Sequence, residues 1–244
     1  MAITIGAFLN ALGILLGALF GLTLPHALSL RTQLFFRNAI GMFNFVFGAR
    51  LIYLSVNGSF LSCLKQGFIA LLAVVLGFWA GKLLRFQKAS NYLGRTAGNV
   101  LVASQHEPPK NLADGFNACA ILFCAAPLGI IGAVTDGLSG YFYLLLVKAV
   151  MDALAMTGFI KVFRWPSALS AIPVFIFFSV IAMAVQLYAK PFLTAPELNS
   201  VGATAGLLTC VITIVIFEIR KVELANYLPA LAMAPLLTKL FGLG

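Results

Sequence analysis

The chain is a series of apolar runs separated by short polar breaks. Continuous runs occupy about 6–24, 38–55, 67–84, 115–135, 141–160, 168–188, 199–219 and 224–241. Roughly twenty apolar residues are what a helix needs to cross the ~30 Å hydrocarbon core of a bilayer. The runs show no period-two alternation, so they predict helices rather than barrel strands. Backbone groups in lipid have no water to bond, and a helix satisfies them within itself. The expected fold is all-α, a polytopic transmembrane bundle of about eight helices that makes a single integral membrane domain over 1–244. The eighth run is short and holds Pro229 and Pro235.

Composition strengthens this reading. Hydrophobic residues make up 61% of the 244, charged residues only 9%, and the mean hydropathy is +1.03. Soluble domains carry roughly 25% charged residues, so the lipid bilayer is the first partner to expect. The net charge of +9 would suit nucleic acid, but the basic residues are scattered between runs rather than massed, and no nucleic acid is expected. Eleven of the sixteen Lys and Arg follow runs one, three, five and seven: Arg31, Arg37, Lys82, Arg85, Lys88, Arg95, Lys110, Lys161, Arg164, Arg220 and Lys221. The positive-inside rule makes that side cytoplasmic and puts both termini outside. The polar stretch 85–114 is then a cytoplasmic loop. It reads either as a solvated linker or, in its first part, as an interfacial helix with Phe86, Tyr92, Leu93 and Val100 against lipid. "MAITIGAFLN" lacks a basic lead, so the first run reads as a span and not as a cleaved signal. Trp79, Trp165, Tyr53, Tyr141 and Tyr143 lie near run ends, as an aromatic belt does.

Candidate chemistry is sparse. Cys63, Cys119, Cys124 and Cys210 form no C-x-x-C pair, and His26 and His106 lie in breaks, so neither a metal site nor a cofactor is expected. Phosphate-loop, zinc-protease and serine-hydrolase motifs are absent, and the chain does not read as an enzyme. The exceptional feature is Lys148 with Asp152, four residues apart on one face of an apolar run. A lone charge at that depth costs about 2.5–3.5 kcal/mol on insertion scales, and the pair reads as a solute, ion or proton site or as a structural ion pair. The preceding run is interrupted by Pro127, with Gly129 and Gly132 close behind, which predicts a broken fourth span able to open polar backbone to a cavity. A simple packing kink is the other reading. Asn117, Thr135 and Asp136 add polar groups at the ends of that span, and Asp136-Gly137 with Ser139-Gly140 reads as an outer turn. Asn10, Asn38 and Asn44 either line a polar path or bond across helices. Glu218, Arg220, Lys221 and Glu223 read as an interfacial charge cluster.

Two repeated patterns concern packing. Gly13, Gly17 and Gly21, and likewise Gly77 and Gly81, share one helix face and favour close helix approach, within the chain or between copies in a homo-oligomer. "NAIG" at Asn38 and "NSVG" at Asn199 open runs of opposite direction, as inverted-topology repeats do.

The segments "GAFLNALGILLGALFGL", "ILFCAAPLGIIGAVTDGL", "LLLVKAVMDALAM", "VGATAGLLTCVI" and "ANYLPALAMAPLL" together resemble the prokaryotic membrane family called domain of unknown function 554. The resemblance runs along most of the chain and is most specific across Phe123-Cys124, Pro127, Gly129, Gly132, Asp136-Gly137, Lys148 and Asp152. It implies several membrane helices in a bacterial inner membrane and a transport role, without a substrate. Family members often have an acidic residue after the glycine of the outer turn. Here Tyr141 follows Gly140, which argues against a cation at that turn. The leading expectation is a secondary transporter or channel for a small solute or ion. In it Asp152 couples to a proton or cation and Lys148 is its counter-charge or an anion ligand. The alternatives are a scaffold or sensor whose 85–114 stretch binds a cytoplasmic partner, and an embedded enzyme acting on a lipid-soluble substrate.

Overall fold

A computed structural model describes residues 5–24, 29–106 and 112–241, with the side chains of 101–106 and 112 left aside. His26 and Lys110 lie outside the described residues. Among those described there are ten α-helices and no strand: α1 (Ile5–Thr23), α2 (Leu30–Ser55), α3 (Phe60–Leu83), α4 (Phe86–His106), α5 (Leu112–Cys124), α6 (Pro127–Ser139), α7 (Tyr143–Phe163), α8 (Ala171–Ala184), α9 (Ala195–Ile216) and α10 (Ala230–Leu240). A 3₁₀ turn, Trp165–Ser170, leads into α8, and π-helical and 3₁₀ turns carry that segment on to Phe192. Another 3₁₀ turn, Leu224–Tyr227, precedes α10.

Five of these segments are long and apolar enough to cross a membrane: α1, α3, α7, α9 and the stretch Trp165–Phe192. A sixth is the pair α5 and α6, bent by 60° at its break. The protein is thus a multi-pass membrane helix bundle. Two of the eight predicted runs fall short of that measure, for different reasons. Helix α2 has 26 residues but is not apolar enough, with Asn38, Asn44 and Arg50 inside the predicted run, and α10 keeps only 11 residues beyond its 3₁₀ turn. The stretch over 85–114, read as a cytoplasmic loop whose first part is either a solvated linker or an interfacial helix, is helical over 86–106. Of the residues expected against lipid, Phe86, Tyr92 and Leu93 are exposed and Val100 turns inward. Ala97 is fully buried and Val100 packs into the core beside α5, while Tyr92 stands on the exposed side.

Sequence chemistry explains the helix ends. Ser29 and Ser59 accept backbone N–H bonds from Thr32 and Ser62 at the starts of α2 and α3. At α9 the Thr194 N–H donates to the Glu197 carboxylate at 2.7 Å, within a full capping box. Helix α4 is tied to the turn before α10. The Gln87 N–H donates to Asn226 Oδ1 at 3.0 Å, and the Ala225 N–H donates to Gln87 Oε1 at 3.1 Å.

The glycine stripes decide how the bundle closes, and they are consumed within the chain. Gly13, Gly17 and Gly21 lie on Ala149, Ala153 and Thr157, so α1 and α7 run side by side in the same direction. Gly77 and Gly81 lie on Ala230 and Asn226, which sets α3 against α10 in the opposite sense. Gly41, Gly48 and Gly202 lie on Phe217, Thr209 and Ser55, so α2 and α9 are antiparallel. At Gly13, Gly17, Gly21, Gly77 and Gly81 backbone meets backbone closer than a Cβ permits, while Gly41 and Gly202 make room for the Phe217 ring and the Ser55 side chain. We expect Gly17→Ala to destabilise the protein by about 1–3 kcal/mol, since the added methyl meets the Ala153 backbone. Gly98→Ala, where a Cβ meets open space, should instead be neutral or stabilising by up to about 1 kcal/mol. Unfolding of the two variants in one detergent checks the contrast.

Candidate functional site

The polar centre is built on α7. Lys148 and Asp152 are the sixth and tenth residues of that 21-residue helix, which puts Asp152 about 13 Å along an axis of about 31 Å. Their spacing turns both side chains to one face, and there they close on each other. Lys148 Nζ donates to both Asp152 oxygens at 2.7 Å. Both residues are buried, Lys148 at 2% exposure and Asp152 at 6%. From α1, Asn10 Nδ2 donates to Asp152 Oδ2 at 3.0 Å. The parallel packing of α1 on α7 holds this amide level with the pair. Asn10 Oδ1 is buried and has no hydrogen-bond partner among the described residues.

The broken helix supplies the opposite wall. Helix α5 ends at Cys124 and Pro127 opens α6. Proline has no N–H, so the Phe123 carbonyl loses its i+4 donor at the break. Lys148 Nζ lies 5.8 Å from the ring centre of Phe123 and 5.8 Å from that of Phe178 on α8. Gly129 leaves room for this arrangement, because a Cβ there would meet both Phe178 and the Lys148 stem. The ammonium thus sits among one carboxylate and two aromatic faces, a cation-binding environment occupied by the protein's own lysine.

The other predicted residues divide clearly. Pro127, Gly129, Lys148, Asp152 and Asn10 are brought together. Asp136 is not with them: its carboxylate accepts the Gly6 N–H at 3.1 Å, near the start of α1, where a carboxylate satisfies an unpaired donor and complements the helix dipole. Asn117 is exposed on α5 and takes no part. Asn44 serves the α2–α9 contact, donating to the Thr209 carbonyl at 2.9 Å and to Thr213 Oγ1 at 3.0 Å, with its own Oδ1 buried and unpartnered among the described residues. Tyr141 leaves the expected belt, since it is buried and its hydroxyl donates to the Phe47 carbonyl at 2.7 Å. Tyr53, Trp79 and Trp165 are outward-facing, as a belt requires.

Sequence reasoning missed Phe123 and Phe178 as partners of Lys148. Nothing in the local pattern separates them from twenty other phenylalanines. It also missed a cavity of about 740 Å³ between the first half of α2, the last half of α7 and the end of α9. Ala155 in its wall is one helical turn beyond Asp152. Glu218, taken for part of an interfacial cluster, pairs with Arg37 there, while Glu223 accepts from Asn226 at 2.7 Å.

A buried pair of this kind can be dissected. Asp152→Leu alone leaves the ammonium without a counter-charge and should cost about 3–5 kcal/mol. Lys148→Met with Asp152→Leu should recover most of that loss. A double-mutant cycle on unfolding measures the coupling, and a double variant as unstable as the single one would show that the pair is not coupled in this way.

Compared with known proteins, residues 5–239 match the family described as Protein of unknown function (DUF554). The "Uncharacterized protein YqgA" of Escherichia coli (strain K12) is 27% identical over 231 residues, covering 94% of each chain. The "Uncharacterized membrane protein YdfK" of Bacillus subtilis (strain 168) is 24% identical over 234 residues, covering 94% of this chain and 93% of its own. No solved structure matches the chain.

Proposed function

The chain belongs to the DUF554 family of membrane proteins, and on that premise we propose that it is a secondary transporter or channel moving a small solute or ion across the bacterial cytoplasmic membrane. The observation that carries this reading is the buried Lys148–Asp152 pair, held by Asn10 at mid-span against a helix broken at Pro127. Ionisable groups at such depth are costly and collect on ion and solute pathways. Half-helices that meet at the midplane are a recurrent way to build one. Asp152 is the group that takes a proton or cation. Its neutralisation frees Lys148, whose flexible stem can then move or bind an anion.

Pseudo-symmetry supports the same reading. The offset that carries Asn38 onto Asn199 and Gly41 onto Gly202 also carries α1 onto the 3₁₀ turn and α8, α2 onto α9, and α3 onto the last turn and α10. It sends the Gly48–Thr209 contact onto itself. It sends Gly41–Phe217 to Gly202–Val56, one residue from the observed Gly202–Ser55. Reciprocal contacts of this sort mark a two-fold relation, here between inverted halves. In this reading α2 and the segment ending in α10 also cross the membrane, which makes eight spans with both termini outside.

The two ends of that relation differ. The cavity opens at the start of α2, beside Arg37 and Ile40. The equivalent place at the start of α9 is filled by Leu198 and Val201, packed with Val134 and Leu138. One side is open and its counterpart closed, as alternating access requires. By the positive-inside rule the open side is the cytoplasmic one.

The test is flux in proteoliposomes, with protons, sodium, potassium and small organic ions offered under a gradient. Wild type should carry at least one of them, while Asp152→Asn and the Lys148→Met/Asp152→Leu double variant should lose more than about tenfold of the rate while remaining folded. Unchanged flux in the double variant would sink the site. No wild-type flux for any ion or solute would favour the scaffold reading, with α4 as the partner-binding element. Orientation has its own check: a reporter active only outside the cytoplasm should work when fused after residue 244, and a silent one would reverse the topology.

A further inference from the structure

The large cavity holds a charge arrangement that the ion-pair site does not explain. Its wall is mostly apolar, with Ile40, Met151 and Ile216 among the contributors, and its polar groups include Gln33, Arg37, Thr157 and Glu218. Arg37 Nη1 is paired with a Glu218 carboxylate oxygen, yet Arg37 Nε is buried and has no hydrogen-bond partner among the described residues. A guanidinium presents its donors as a planar fork made for an oxyanion, and part of this fork is unused.

Glu218 itself is out of place by two local rules. Helix α9 ends in a Schellman motif, with the Glu218 N–H on the Val215 carbonyl at 3.0 Å and the Ile219 N–H on the Ile214 carbonyl at 3.1 Å. The residue at that turn takes φ of 57°, a conformation that favours glycine. A carboxylate there also faces the negative end of the helix dipole. Arg85 and Arg164 have similar positive φ beside the ends of α3 and α7, but their charge suits the dipole. Among the described residues Glu218 alone combines the unfavourable backbone with the unfavourable sign. At this turn it pairs with Arg37 of α2. Glu218 is 70% exposed against 31% for Arg37, so it reaches the guanidinium from the open side and can leave it without being buried elsewhere.

We infer that this cavity is a binding site for an oxyanion carried on an apolar body, a carboxylate or phosphate amphiphile. Arg37 is its ligand, and Glu218 is a resident carboxylate that the incoming anion displaces. The apolar wall takes the body, and a volume of about 740 Å³ falls in the range of small-molecule pockets. The inference goes beyond the transport reading and is tested by equilibrium binding, so it stands or falls independently of flux.

The experiment is calorimetric titration of the whole protein in phosphatidylcholine nanodiscs with octanoate, octyl phosphate and, as a control of opposite charge, octyltrimethylammonium. Both anions should bind saturably and the cation should not. Arg37→Gln should weaken the anions by about tenfold or more, the loss of a charge-assisted fork. Arg37→Lys, which keeps the charge and guards against simple misfolding, should retain part of the affinity. Glu218→Gly suits the turn and vacates the guanidinium, so it should tighten anion binding severalfold. Repeating the titration with phosphatidylglycerol in the disc separates the sources. Loss of octanoate binding identifies a lipid headgroup as the occupant, and unchanged binding identifies a free amphiphile; the site stands in either case. Equal binding of cation and anions, or weaker anion binding in Glu218→Gly, would overturn the proposal.

Discussion

Inside a bilayer, apolar burial gives one helix little reason to choose another, because lipid tails are as apolar as leucine. This bundle depends on backbone approach at glycine. The stripe Gly13, Gly17 and Gly21 lays α1 on α7, and that contact brings Asn10 within reach of Asp152. The same principle lays α2 on α9 and α3 on α10. Polar placement follows from helix placement, and helix placement follows from missing side chains.

The ion pair then becomes tolerable. Two charges at that depth would be costly alone, and their mutual contact at 2.7 Å, the amide of Asn10 and the flanking rings of Phe123 and Phe178 offset much of the desolvation. The cost that remains has no return in stability, since a well-packed apolar pair of similar size usually serves as well. That imbalance is the physical reason to look for a role in movement of charge. The cavity beside α7 is open at the start of α2, while Leu198 and Val201 near the start of α9 are packed with Val134 and Leu138.

Local rules and tertiary structure part company at a few residues, and these are informative. Glu218 suits neither its turn nor its dipole, and it pairs with Arg37, 181 positions away in sequence and close in space. Asp136 was read with the broken span, but it holds the start of α1 through the Gly6 N–H. Tyr141 lies where a belt residue is expected but is a hydrogen-bonded link to α2. In each case the partner comes from a distant part of the chain.

What the sequence by itself determined was whatever depends on short range. Runs of about twenty apolar residues establish helices in lipid, Pro127 establishes the break in α5–α6, and an i, i+4 spacing establishes that Lys148 and Asp152 meet. The glycine spacing of α1 and α3 announced close packing. Tertiary structure alone decided which helices those glycines receive, which phenylalanines flank Lys148, and that Asn117 stays outside. It also set the 86–106 helix against the core and opened the cavity at Arg37. These outcomes rest on distances between segments far apart in sequence, and a one-dimensional pattern of apolar and polar positions carries no record of such distances.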